Sequence, residues 1–186
     1  FTLREVARRA GVSHNAPYRH FTSKDELLAA VAQEGFERLT AVMRETMVSG
    51  RSPLERLELC GCGYVDFALR WPQHFLVMFD AMFDLPHLPN DRSPANVAGQ
   101  NAFQVLLDCV AAAQQSGNLP PGDPMPLAWT SWSLVHGIAK LANSGNLPLS
   151  HAATLEFTRR AAQGMCGNTQ AAVPLVPPAI PKKMRK

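Results

Sequence analysis

Three stretches of the chain carry the same four-residue device: Thr2-Leu-Arg-Glu5, Ser23-Lys-Asp-Glu26 and Ser52-Pro-Leu-Glu55. In such a capping box the hydroxyl accepts a hydrogen bond from the backbone N–H three residues on, and the carboxylate reaches back to another. Two donors that a helix start leaves free are thereby satisfied together. A chain that repeats this signal is committed to helices. Between the starts, apolar residues recur every three or four positions and do not alternate, so no strand is expected and the fold class is all-α. Prolines fall at the connections, and they divide the sequence into helical blocks near 2–10, 14–21, 24–49, 53–71, 73–83, 94–117, 124–144 and 149–166. Residues 84–93 and 118–123 read as turn-rich connections, and 168–186 as a Pro-rich tail.

With 186 residues, 46% of them apolar, the chain can bury a real core. The formal charge of +3 is misleading: Lys182, Lys183, Arg185 and Lys186 contribute +4, which leaves −1 for the remainder. Global charge therefore does not point to nucleic acid. Four cysteines, Cys60, Cys62, Cys109 and Cys166, sit in apolar helical segments without the regular spacing of a disulfide scaffold, so a reduced, cytoplasmic setting is expected. No run approaches the roughly 18 to 20 apolar residues of a membrane span, and no membrane partner or signal peptide is expected.

The first two blocks have helix-turn-helix spacing: Val6 and Ala10 should face inward, Gly11 permits the tight turn, Val12 should plug the corner, and Ser13 begins the second element. From Leu3 through Leu28 the sequence resembles the DNA-binding motif of the TetR family of transcriptional regulators. That motif commonly ends in Tyr-x-His-Phe followed by a lysine-started helix, here Tyr18-Arg19-His20-Phe21 and Lys24. The resemblance implies a double-stranded DNA operator as partner. Tyr18, His20 and Lys24 would meet phosphates, Lys24 at a helix N-terminus where backbone N–H groups add to the attraction. His14, Asn15 and Arg19 would approach base edges, with Arg4 reaching from the preceding helix; Thr2 and Ala16 complete the DNA-facing set. Arg8 and Arg9 read better as solvated. Pro17 would fall in the free first turn if the regular helix begins near Asn15 to Pro17, where a missing N–H costs nothing. The resemblance also implies a bracing helix before Thr2, which the sequence beginning at Phe1 does not include. Residues 1–48 are thus expected to form the DNA-binding domain.

Residues 52–167 resemble the regulatory domain of the WHG subclass, on Tyr64-Val-Asp-Phe-Ala68, Trp71-Pro72, Met78-Phe79 and Trp132-Ser-Leu-Val-His136-Gly137. The resemblance implies a homodimeric repressor released by a small-molecule effector. Tyr64, Phe67, Met78, Phe79, Met82, Phe83, Phe103, Trp129, Trp132 and His136 would line the effector pocket. The helix around Trp132 is apolar nearly all round, which suits burial on both sides. Leu127, Ser131, Leu134 and Ile138 from it, with Leu155, Thr158, Ala161, Ala162 and Met165 from the next helix, are the expected dimer interface. Gly61 and Gly63 each cost about 1 kcal/mol in a helix interior and call for a reason, either close helix approach or room for a ligand.

Cys60-Gly-Cys62 with His74 and His136 invites a metal-site reading. Residues two apart on a helix point about 200° from each other, however, so the two thiols cannot clasp one ion unless the helix breaks at Gly61. No HExxH, GxSxG, GxGxxG or P-loop pattern is present, so neither an enzyme nor a cofactor is expected. The competing reading is a helical interaction or metal-sensing module without operator binding.

Overall fold

The structure, a computed structural model, describes residues 1–81 and 92–167. The tail 168–186, most of the connection at 84–93, and the candidate pocket residues Met82 and Phe83 lie outside the described residues. Seven α-helices follow in order: α1 (Leu3–Arg9), α2 (Lys24–Met47), α3 (Pro53–Arg70), α4 (Pro72–Leu76), α5 (Pro94–Gln115), α6 (Pro124–Asn143) and α7 (His151–Gly167). A 3-10 turn spans Pro17–Arg19, a π-helical turn Val77–Ala81, and no strand occurs among the described residues.

The three capping boxes start α1, α2 and α3. The backbone N–H groups of Glu5, Glu26 and Glu55 donate to the hydroxyls of Thr2, Ser23 and Ser52 at 3.2, 3.1 and 3.1 Å. Two of the carboxylates act one residue before the cap. Glu26 accepts from the N–H of Thr22 at 2.6 Å and Glu55 from that of Arg51 at 2.9 Å, in each case the residue before the cap. Glu5 turns instead to Arg8 and Arg9.

The block expected as a helix at 14–21 is corrected to a single 3-10 turn. Pro17 has no N–H to extend a helical ladder, and the Ser13 carbonyl accepts from the N–H of Ala16 at 2.9 Å, closing a turn of three-residue spacing. The carbonyl of Pro17 then accepts from His20 and Phe21 at 3.0 and 2.9 Å, and the segment ends there. The inward face of α1 is also corrected: Leu3 and Ala7 are buried, Val6 is half-buried, and Ala10 and Val12 are exposed. Gly11 takes the left-handed turn (φ 68°) that lets the chain leave α1.

α3 forms the axis of the remaining helices and packs against α2, α5, α6 and α7. From Leu57 to Ala68 it is apolar apart from Glu58 and Asp66, and ten residues of the helix are buried, Glu58 among them beside Gln163 and Arg159 of α7. Gly63 is there for close approach, because an added Cβ would stand 3.0 Å from the Cα of Met43 on α2. Gly61 faces α6, where a Cβ would stand 3.2 Å from Val135. The helix is continuous through both, so Cys60 and Cys62 diverge. The first thiol points to Met43 on α2 and the second to the Leu155 carbonyl on α7.

α3 stops at Trp71, whose backbone (φ −129°, ψ 62°) leaves the helical region before Pro72 opens α4. The Trp71 ring lies against two guanidiniums, Arg38 at 5.0 Å and Arg70 at 4.4 Å. The π-helical turn beyond α4 is pinned from two sides. Met78 sits on Gly35 of α2, leaving no room for a Cβ there, and Asp80 pairs with Lys140 of α6.

Candidate nucleic-acid interface and ligand cavity

Eight of the nine residues expected at DNA, Thr2, Arg4, His14, Asn15, Tyr18, Arg19, His20 and Lys24, are exposed, and Ala16 is half-buried. They lie on α1, on the turn 13–20, and at the first position of α2. Among the described residues no carboxylate forms an ion pair with Arg4, Arg19 or Lys24, so these cations are available to phosphate or base edges. Arg8 and Arg9 differ. Both grip Glu5, at 2.7 and 2.8 Å, and together hold its carboxyl down to about 2. The Lys24 ammonium lies 4.5 Å above the ring of Phe1.

A cavity of about 590 Å³ opens among α2, α3, α5, α6 and α7. Of the residues expected around it, Tyr64, Phe79, Phe103, Trp129 and Trp132 line it. Phe67, Met78 and His136 do not: Phe67 is fully buried against Trp71, Met78 is seated on Gly35, and His136 stands behind Tyr64. Sequence reasoning missed the α2 wall, Phe36, Leu39 and Met43, and the amides Asn96, Gln100 and Gln104 of α5. The amides recur every fourth residue and thus form one stripe on their helix, a signal that was available. Among the described residues no charged side chain lines the cavity.

Behind the cavity wall runs a polar relay. The Trp132 indole N–H donates to the Tyr64 oxygen at 3.2 Å, and that oxygen lies 2.8 Å from His136 Nδ1. With one donor and two acceptor sites, the tyrosine oxygen can accept from Trp132 and either donate its proton to Nδ1 or accept from an Nδ1–H, according to the imidazole tautomer. Burial lowers the His136 pKa, and the Lys140 charge lowers it further. Burial also pushes the Tyr64 hydroxyl well up, so both groups stay neutral near pH 7.

The residues expected at a dimer interface occupy several settings in the single chain. Ser131, Ile138, Thr158 and Ala162 are buried within it. Ser131, Leu134, Ala162 and Met165 line the cavity, and Leu127, Leu155 and Ala161 pack half-buried on the core. A helix that is apolar all round does not reveal which face turns outward. The outer face of α6 and α7 carries Trp129, Leu141 and Phe157, 57%, 49% and 44% exposed. Gly137 and Gly164 add open positions there, with nothing within reach of an added Cβ.

Among the described residues no group of three or more His, Cys, Asp or Glu has metal-ligand geometry, and no helix is long and apolar enough to cross a membrane. An exposed cationic turn leading into a helix that also walls a partly open apolar cavity is an arrangement suited to a DNA-binding transcriptional regulator. Comparison with known proteins agrees. Residues 1–31 match the family of bacterial regulatory proteins of the tetR type, and residues 57–164, more than half of the chain, match the tetracyclin repressor-like C-terminal domain. The chain therefore belongs to the TetR family of transcriptional regulators.

One relative is the HTH-type transcriptional activator FasR of Mycolicibacterium smegmatis, 33% identical over 107 residues, 58% of this chain. The matched part spans 48% of that relative's length. A solved structure of a protein of unknown function from Rhodococcus sp. RHA1 is 31% identical, with a TM-score of 0.75 over 90% of this chain and 84% of that one. The structure of AibR in complex with isovaleryl coenzyme A and operator DNA shares the fold at 20% identity, with a TM-score of 0.68 over 90% of this chain and 85% of that one.

Proposed function

We propose that the chain works as a homodimer that grips a palindromic operator and releases it when an uncharged, mostly apolar small molecule enters the cavity, and hence acts as a repressor. Residues 1–48 would be the DNA-binding domain, and 52–167 a regulatory and dimerisation domain of the WHG subclass. The observation that carries the reading is the double duty of α2. Its first residue, Lys24, belongs to the DNA-facing set, while Phe36, Leu39 and Met43, farther along the same helix, wall the cavity. At 24 residues and about 1.5 Å per residue, α2 reaches across roughly 36 Å.

The aromatic pair Phe36 and Phe79, edge to face at 5.6 Å, joins α2 to the π-helical turn, and both rings line the cavity. A ligand that parts them shifts α2 against the π-helical turn and so moves the reading segment. Two such segments must enter major grooves about 34 Å apart, so a small rotation of α2 suffices to lose the register. Only a ligand with unequal affinity for the gripping and released arrangements produces this effect. The cavity lies within the usual size of small-molecule sites, and its lining fits an uncharged apolar body with one group that hydrogen-bonds the α5 amides. The acyl group of the ligand seen with AibR is one body of that kind. The exposed apolar side chains Trp129 and Leu141 of α6 and Phe157 of the adjacent α7 support dimerisation.

Selection of bound duplexes from genomic fragments at low salt tests the reading. Palindromic sites whose affinity falls steeply with added salt are expected, because several phosphates are contacted per subunit. Failure to retain any duplex would remove the proposal. The resemblance to a relative named as an activator favours a second reading, in which the bound protein raises transcription. A reporter placed behind a selected site separates the two by the sign of its response.

A further inference from the structure

Thr22, in the link between the 3-10 turn and α2, is clamped by one side chain. Glu26 accepts through a single oxygen, Oε2, from the Thr22 backbone N–H at 2.6 Å and from the Thr22 hydroxyl at 2.7 Å. Backbone and side chain of Thr22 are thereby set together. Bonds to an ionised acceptor are shorter and stronger than neutral ones, and these two hold the Glu26 carboxyl below the ordinary carboxylate value. A helix start does not need both. At α3 the equivalent carboxylate, Glu55, accepts a backbone N–H alone among the described residues, that of Arg51 at 2.9 Å. The bond from the Thr22 hydroxyl goes beyond that helix-starting device.

Thr22 separates two parts of the DNA-facing set, with Tyr18, Arg19 and His20 before it and Lys24 after it. On one side the Pro17 carbonyl accepts from His20 and Phe21 at 3.0 and 2.9 Å, which closes the 3-10 turn. On the other, Ser23 caps α2 by accepting from the Glu26 N–H at 3.1 Å. The clamp on Thr22 joins these two pieces. Glu26 itself is negative and has no attraction to offer a phosphate. Its bonds are exposed and compete with water, so their loss costs the fold little. What they supply is order, because groups already in place give up less freedom when they meet the duplex.

We propose that Glu26 is a positioning residue for operator binding, holding Tyr18 and His20 in register with Lys24 through its clamp on Thr22. The proposal rests on the DNA-facing reading of those three residues.

The full chain is titrated against a labelled duplex recovered by genomic selection, with fluorescence anisotropy read at several salt concentrations and urea denaturation run on the same variants. Glu26→Ala should weaken binding about tenfold and reduce the slope of log affinity against log salt by about one, the share of one lost phosphate contact. Glu26→Gln, whose carbonyl oxygen can accept both bonds, should stay within about threefold of the parent. Glu55→Ala, which removes the corresponding bond at α3, should leave operator affinity unchanged while shifting the urea midpoint as Glu26→Ala does. The proposal is overturned if Glu26→Ala binds with the parent's affinity and salt slope, if Glu26→Gln loses as much as Glu26→Ala, or if Glu55→Ala weakens binding equally. If the parent retains no duplex in the selection, the DNA-facing reading itself fails, and the proposal goes with it.

Discussion

The turn at Ser13–His20 and the aromatic nest around Tyr64 are built on opposite terms. The turn holds one 3-10 turn and no fully buried side chain, and its polar groups face outward. In the nest, Tyr64, Phe75, Phe79 and His136 form ring contacts between 4.9 and 6.3 Å, and Tyr64, Phe75 and Phe79 are at most 8% exposed. Stability is concentrated in the nest, and binding groups in the turn. A mutation in either should report on one property and spare the other.

The strongest blow to the comparison would come from Phe75, 2% exposed at the centre of the nest. Phe75→Ala should cost about 3–5 kcal/mol of unfolding free energy, measured by urea denaturation. Next in size, Arg19→Ala should weaken operator binding by about 1–3 kcal/mol while the same denaturation curve moves by less than about 0.5 kcal/mol. If Arg19→Ala instead unfolded the chain, the division between the two regions would be wrong.

Pro17→Ala should shift stability by under about 1 kcal/mol, through the freedom it restores to the unfolded chain. Its larger effect should be on which operator bases are preferred, read by competition among selected duplexes. The smallest effect is one of pH. His136 is held below the ordinary imidazole value of about 6.5, so the unfolded chain takes up its proton at a higher pH than the folded chain does. Its contribution is complete above that value and is lost as pH falls below it. Thermal melts at about pH 7.5 and pH 5.5 should show this loss, and His136→Gln should reduce the difference.

Helix starts were legible because a capping box acts within four residues, and the hydroxyls of Thr2, Ser23 and Ser52 all accept the bond that local chemistry dictates. The turn at 14–21 was misread as a helix because a capping serine looks alike in both cases, and the outcome hangs on one absent N–H at Pro17. Five of the ten residues expected around the cavity line it, all of them aromatic. The α2 side was not legible, because Phe36, Leu39 and Met43 carry only the periodicity of a core-facing helix, and periodicity does not tell a wall from a filled interior. The outward face of α6 was lost for a related reason. Trp129 and Trp132 sit three residues apart, yet one is 57% exposed and the other half-buried beneath the relay.

The three tryptophans of the chain, each in a different setting, give the molecule its own optical probes. Trp132 looks into the cavity and donates to Tyr64, Trp71 lies beside two guanidiniums at the joint between α3 and α4, and Trp129 faces outward on α6. Emission from single-tryptophan versions would therefore follow cavity filling from within at Trp132 and from its exposed rim at Trp129, and motion of the joint at Trp71, with no dye attached.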